Sequence, residues 1–424
     1  MKNLISALLL VCCFQLANAR TLAVTSSSDD LQNPIPGMLR YFIKYTQPND
    51  TITFNVSNVL LKGEILMVLP VVIDGGINKV TLDGGGVGRI FNVFLKVKSD
   101  KFVFKNLIFI NGKVYSINGL EGGGAMVVSR VEGELMVDNC IFRNNEHSQT
   151  GGAVLAQGGI FTNCIFTQNR LTNIPSGSGG VYSEDGLFIN CVFSYNRGYI
   201  GAGVSASRSK FYNCTFANNR LPLGGYGGGI VSHGCELVNC IAYGNSSNEG
   251  ADNVRIDSST VIKNCAMGPK NARVGRYGNI SLTSSPFIGG NGADSLSIVD
   301  GLCVNGGTTV GITILDTDIL GNKRIIGATI DVGAYESPYL ITSILSATTY
   351  NSSQILDPNP SKGMFYLNSK MLEGDKWEVE VYDLVGHLVL SVPNATVFNI
   401  PQAGIYQVRV KSRDTIYSNK IVVE

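Results

Sequence analysis

The chain has 424 residues, with 33 basic and 32 acidic side chains, and so is close to neutral. That balance, without runs of like charge, excludes the strongly basic surface that nucleic-acid-binding domains use. Only 15% of residues are charged, 44% are hydrophobic and 50 are glycine, a profile of many short strands joined by tight turns.

The first nineteen residues read as an export signal. Lys2 supplies a positive start, Leu4 to Leu16 an apolar run, and Ala17-Asn18-Ala19 a small-residue cleavage site. The run is shorter than the roughly 20 apolar residues a spanning helix needs, and no transmembrane segment is read elsewhere. Cleavage after Ala19 leaves eight of the ten cysteines.

One repeat then organises the middle of the chain. DNCIFRNN around Cys140 returns as TNCIFTQN around Cys164, INCVFSYN around Cys191 and YNCTFANN around Cys214, with weaker copies at Cys240 and Cys265. A copy without cysteine, KNLIFING, precedes them at Asn106. The regular recurrence indicates one stacked structural unit.

Cys and Phe two residues apart share one face of a strand, leaving Ile165, Val192 and Thr215 on the other. In stacked parallel coils each such residue lies about 4.8 Å above its counterpart. Cysteine there serves as a small buried hydrophobe. The Asn before it suits a left-handed bend, and clusters such as Gly151-Gly152 suit a second tight turn. Cys235 and Cys303 fall off this ladder and are the candidates for a disulfide in an exported chain.

The GGA-type clusters and F-x-x-N motifs (Phe142 to Asn145, Phe166 to Asn169, Phe193 to Asn196, Phe216 to Asn219) resemble the repeats of polymorphic outer-membrane proteins and related right-handed parallel β-helices. Pro36 to Phe54 resembles the amphipathic cap that opens such helices, with Asp74 and Asp83 in the first full rungs. Asp316 to Glu336 is similar to the terminal motif of exported bacterial β-helix proteins. The resemblance implies an all-β, right-handed parallel β-helix (solenoid) over residues 20–338. It implies no activity, because the fold hosts lyases, hydrolases, adhesins and spacers alike.

After Pro338 the composition changes to alternating strands, MFYL, WEVEVYDL, HLVLSV, IYQVRV and NKIVV, expected to form a small β-sandwich over 339–424. DPNPSKGMFYL, VEVYDLVGHLV, AGIYQVRV and KIVVE resemble, in order, the motifs of the type A sorting domain of the type IX secretion system. This likeness implies that machinery as a partner, and a secreted or outer-membrane surface-attached product.

Chemistry is sparsely encoded. Between Thr150 and Gly250 the only acids are Glu184, Asp185, Glu236 and Glu249, and no catalytic residue is assigned. Hydrolases need carboxylates flanking the scissile bond, and lyases on this fold use carboxylates that hold calcium. Glu249, Asp252 and Asp257 are the candidates for calcium; no other cofactor is read. His147, His233 and His387 are the only histidines, and His233-Gly234-Cys235 offers two ligands where structural zinc usually takes four.

The sharper pattern is cationic. Arg170, Arg197 and Arg220 each follow their ladder cysteine at one common offset, and Glu146 and Ser246 hold that offset on the flanking units. In register they form a stripe able to bind carboxylate or sulfate groups bidentately, with Tyr195, Tyr199 and Tyr226 as stacking surfaces. The expected function is non-catalytic adhesion or glycan binding, with an extracellular polysaccharide or surface glycan as partner. The alternatives are a polysaccharide lyase or glycoside hydrolase with its site in loops 245–257 or 277–300, and a structural spacer.

Overall fold

A computed structural model describes residues 19–424 except 96, 116–121, 131–132, 173–176, 223, 248–249, 252, 269–276, 290–295, 299–300, 338–355, 369–371, 373–375, 384–387 and 413–414. The expected signal segment, Glu249, Asp252 and His387 therefore lie outside the described residues, save for Ala19.

Two ten-stranded sheets and one eight-stranded sheet, all parallel, run the length of a solenoid. Each full coil contributes one strand to each sheet, as in Ile160–Thr162, Ile165–Thr167 and Val181–Glu184. In the cysteine repeats the first and second sheets are joined by two residues only. The Asn at that corner is left-handed in every repeat, with φ of 53° at Asn139, 52° at Asn163 and 53° at Asn190, a conformation Asn tolerates better than most L-residues. At the turn into the third sheet Gly152 has no room for a side chain, since a Cβ would lie 2.0 Å from the Gly179 carbonyl oxygen.

Inside, the ladders follow the predicted register. Phe142, Phe166, Phe193 and Phe216 stack with ring centroids 4.8 to 5.0 Å apart. Phe161, Phe188 and Phe211 form a second stack from the first sheet. The six ladder cysteines are all buried. Cys235 and Cys303 correct the disulfide expectation: all eight described cysteines are thiols, and these two pack in separate clusters.

The cap behaves as its pattern implies. Leu39–Tyr45 is a short helix that buries Leu39 and packs Phe42 and Ile43 against the first coils. Arg40 ties it down, donating to both Asp29 carboxylate oxygens and to the Gly63 and Glu64 carbonyls. Asp74 and Asp83 cap turns, accepting from the Gly76 and Gly85 N–H groups.

The segment 302–337 lies along the outer faces of the rungs instead of adding a coil. Cys303, Val304, Val332, Ala334 and Tyr335 cover Val192, Ile241 and Ala266 of the second sheet. Ile312 and Leu315 cover Ile189, Tyr212 and Val238 of the first. Asn239 fastens this clasp, donating to Thr308 O and accepting from Thr308 N, while Thr215 Oγ1 accepts from Ala334 N.

Residues 356–424 form two antiparallel sheets of three and four strands around Phe365, Val379, Val408 and Ile421. Trp377 Nε1 donates to the Ala395 carbonyl across this small sandwich.

Candidate functional site

The arginine stripe is assembled by the F-x-x-N motif. The Asn that ends each motif turns inward and forms a buried ladder through Asn145, Asn169, Asn196, Asn219 and Asn245. Each Nδ2 donates to a carbonyl of the preceding coil, such as Asn196 to Phe166 O at 2.9 Å, and to the next Asn in the ladder. Alternation then places the following residue outside. That residue is Glu146, Arg170, Arg197, Arg220 or Ser246 in successive coils.

The backbone register is the one the spacing predicts: Glu146 pairs with Arg170, Arg170 with Arg197, Arg197 with Arg220, and Arg220 with Ser246. Lys113 heads the row, pairing with Glu146 one coil earlier. Sequence reasoning missed it, although it follows Leu107 of the cysteine-free copy at the offset of the arginines. Glu146 receives Lys113 at 3.2 Å and Arg170 at 2.5 Å. Arg197 and Arg220 are exposed, and among the described residues neither guanidinium has an ion pair or hydrogen bond.

Two hollows flank the row. One, of about 270 Å³, is lined by Arg170, Leu171, Thr172, Arg197, Gly198, Tyr199 and Pro222. The other, of about 480 Å³, is lined by Tyr195, Asn218, Arg220, Leu221, Gly244 and Ser246. Tyr195 and Tyr199 thus join the arginines. At Tyr226 the Arg255 guanidinium lies 4.3 Å from the ring centroid and covers one face of the expected platform.

The described acids are engaged elsewhere. Asp185 receives Arg208 at 2.9 Å, and Glu236 accepts from Tyr212 at 2.8 Å. Hydrogen bonds from Ser259 and Thr260 hold the Asp257 carboxyl well below the usual carboxylate range, leaving it a turn cap. Among the described residues no three His, Cys, Asp or Glu side chains gather as a metal site. His233 is exposed while Cys235 is buried, so the two share no ligand position. His147 is buried with Nδ1 accepting from Gln149 N, and burial lowers it to about 4.

Comparison with known proteins agrees with this architecture. Residues 125–285 match the family model for a right handed beta helix region, and residues 356–424 match that for a secretion system C-terminal sorting domain. The chain is a β-helix protein with a type IX sorting domain, secreted or attached to the outer-membrane surface. No curated protein matches it. Among solved structures, this β-helix protein is similar to the pectate lyase Pel9A at 13% identity and a TM-score of 0.45, covering 76% of this chain and 97% of that one. It is also similar to the full-length tailspike protein 2 from Escherichia coli O157:H7 bacteriophage CAB120, at 9% identity and a TM-score of 0.24 over 89% and 59% of the two chains. Neither likeness bears on activity.

Proposed function

We propose that the β-helix is a non-catalytic adhesion module that binds an acidic polysaccharide along the row from Arg170 to Arg220. The observation that carries this reading is the state of Arg197 and Arg220, adjacent on neighbouring coils and without a countercharge among the described residues. Two unit charges one rung apart repel by roughly 1 kcal/mol even in water. Glu146 offsets only the first arginine, so a polyanion lying across the coils would relieve the rest. Single exposed ion pairs contribute about 0.2–1 kcal/mol each, so such a site works by engaging several anionic groups of one polymer at once.

The test is a binding screen of the purified full chain against polyuronates and sulfated polysaccharides, with assays for new reducing ends and unsaturated products on each hit. Salt-sensitive binding without product, abolished in the double variant Arg197→Ala/Arg220→Ala, is expected. Depolymerisation of any hit would replace this reading with an enzymatic one, and absence of binding would favour a spacer.

A further inference from the structure

The residue before each ladder asparagine occupies an outer corner of the solenoid. Asn144, Gln168, Tyr195, Asn218 and Gly244 hold it in turn, and all have positive φ, between 55° and 72°. Asn and Gly accept that conformation, whereas an aromatic residue is disfavoured in it. Tyr195 is nevertheless placed there, 48% exposed. Backbone strain that the surrounding coils hold in place gathers at sites with a function.

The corner two rungs on from Tyr195, beyond Asn218, is the one that opens. Gly244 supplies no side chain where the neighbouring rungs carry Asn or Tyr, and a Cβ added to it would lie 2.4 Å from Asn218 Oδ1. The space left over is the hollow of about 480 Å³, open to solvent and lined mainly by polar surface. Along its wall Asn218 Nδ2 donates to the Tyr195 hydroxyl at 3.2 Å. On its rim stand the Arg220 guanidinium, with no partner among the described residues, and Ser246.

We propose that this hollow is a sugar subsite that takes one pyranose ring bearing a carboxylate or a sulfate. The ring lies over Gly244 with Asn218 and, beyond it, Tyr195 as the wall, its anionic group meets Arg220, and its hydroxyls exchange hydrogen bonds with Asn218 and Ser246. This rests on the polysaccharide-binding reading and adds to it the place where the polymer is recognised rather than merely attracted. The row supplies charge along the solenoid. The hollow supplies shape at one rung.

The test returns the corner to the residue its neighbours carry. Gly244→Asn introduces a side chain that tolerates positive φ and fills the space, displacing only the end of the Asn218 side chain. Tyr195→Asn removes the wall, and Tyr195→Phe keeps the ring. Affinities of the full chain and these variants are measured for an oligogalacturonate and for a sulfated oligosaccharide of equal length, which separates the two anionic groups. The expected result is a loss of about tenfold or more for the preferred oligosaccharide in Gly244→Asn and Tyr195→Asn, with Tyr195→Phe close to wild type, every variant cooperatively folded, and Tyr195→Asn melting no lower than wild type. If both Asn variants bind as wild type while Arg197→Ala/Arg220→Ala does not bind, the subsite is wrong and the charged row stands. If the wild type binds neither oligosaccharide, the subsite and the row fall together.

Discussion

Asn196 Oδ1 accepts two hydrogen bonds from Asn169, one from its backbone N–H and one from its side-chain amide, each at 3.0 Å. The same Asn196 amide donates onward to Phe166 O and to Asn219 Oδ1. A column of side chains thus satisfies backbone groups that the turn leaves outside the sheet ladders. It also fixes the arginine row, because each arginine is the next residue along.

Asn196→Ala strands the Asn169 N–H and the Phe166 carbonyl inside the solenoid. A buried polar group left unpaired costs about 1–3 kcal/mol, so this variant should lose roughly 2–5 kcal/mol in urea-induced unfolding. A loss below half a kilocalorie would show that the ladder is incidental to stability.

The clasp carries a buried charge imbalance that sets a pH dependence. Arg324 Nη1 meets Glu336 Oε2 at 3.0 Å with both side chains 1% exposed, and Asp331 and Asp318 are buried as well. Burial, and then the Asp331 charge, pushes Glu336 up to about 7, and burial pushes Asp331 up to about 6. Both lie above the ordinary carboxylate values near 4. The folded clasp therefore retains protons that the unfolded chain has released. Its stabilisation is fullest below about pH 4 and is lost as pH rises through about 7. His147, lowered to about 4, acts in the opposite direction up to about pH 6.5. Above that Glu336 and the tail of Asp331 are left to titrate in the clasp, so the melting temperature should fall between about pH 6.5 and 7.5, and Glu336→Gln should flatten that slope. A wild-type profile level across this window would contradict the assignment.

Much of this architecture was legible because the repeat writes it many times. Asn163-Cys164 states the left-handed corner and the inward thiol, and the common offset of Arg170, Arg197 and Arg220 states the row, which the backbone register reproduces. The clasp was not legible as a covering layer, since residues 302–337 have no period of their own. Its trace in the sequence is indirect: Val192 and Ile241 face outward yet are apolar, and both are buried beneath it. The covering of Tyr226 was not legible either. Its ring is occupied by Arg255, which pairing between Ile230–His233 and Val254–Ile256 brings to that level, and no local pattern announces such a contact.

The thiol ladder should be chemically silent in the folded protein. All six ladder thiols are closed off from solvent, and burial pushes the Cys140 thiol up to about 12 and raises Cys164, Cys214 and Cys265, while reactivity requires an accessible thiolate. Iodoacetamide at pH 8 should therefore leave Cys140, Cys164, Cys191, Cys214, Cys240 and Cys265 unmodified in the native chain and alkylate all six in guanidinium, read by mass spectrometry. Rapid labelling of any of them in the native chain would place it outside the core.

The arginine row should trade stability for binding. Arg197 pairs in register with Arg170 on one side and Arg220 on the other, so its charge faces two like charges at about one rung's distance. Arg197→Gln removes both repulsions and keeps a polar side chain on the surface, so in dilute buffer it should be more stable than wild type, by about 1 kcal/mol at most. At about 1 M salt, where the screening length falls to roughly 3 Å, the two proteins should melt together. Affinity for an acidic polysaccharide should move the other way and weaken in the variant at low salt. Equal melting temperatures at low and high salt would mean that the flexible stems carry the guanidinium groups apart, and the row would then lose the electrostatic reason for seeking a polyanion.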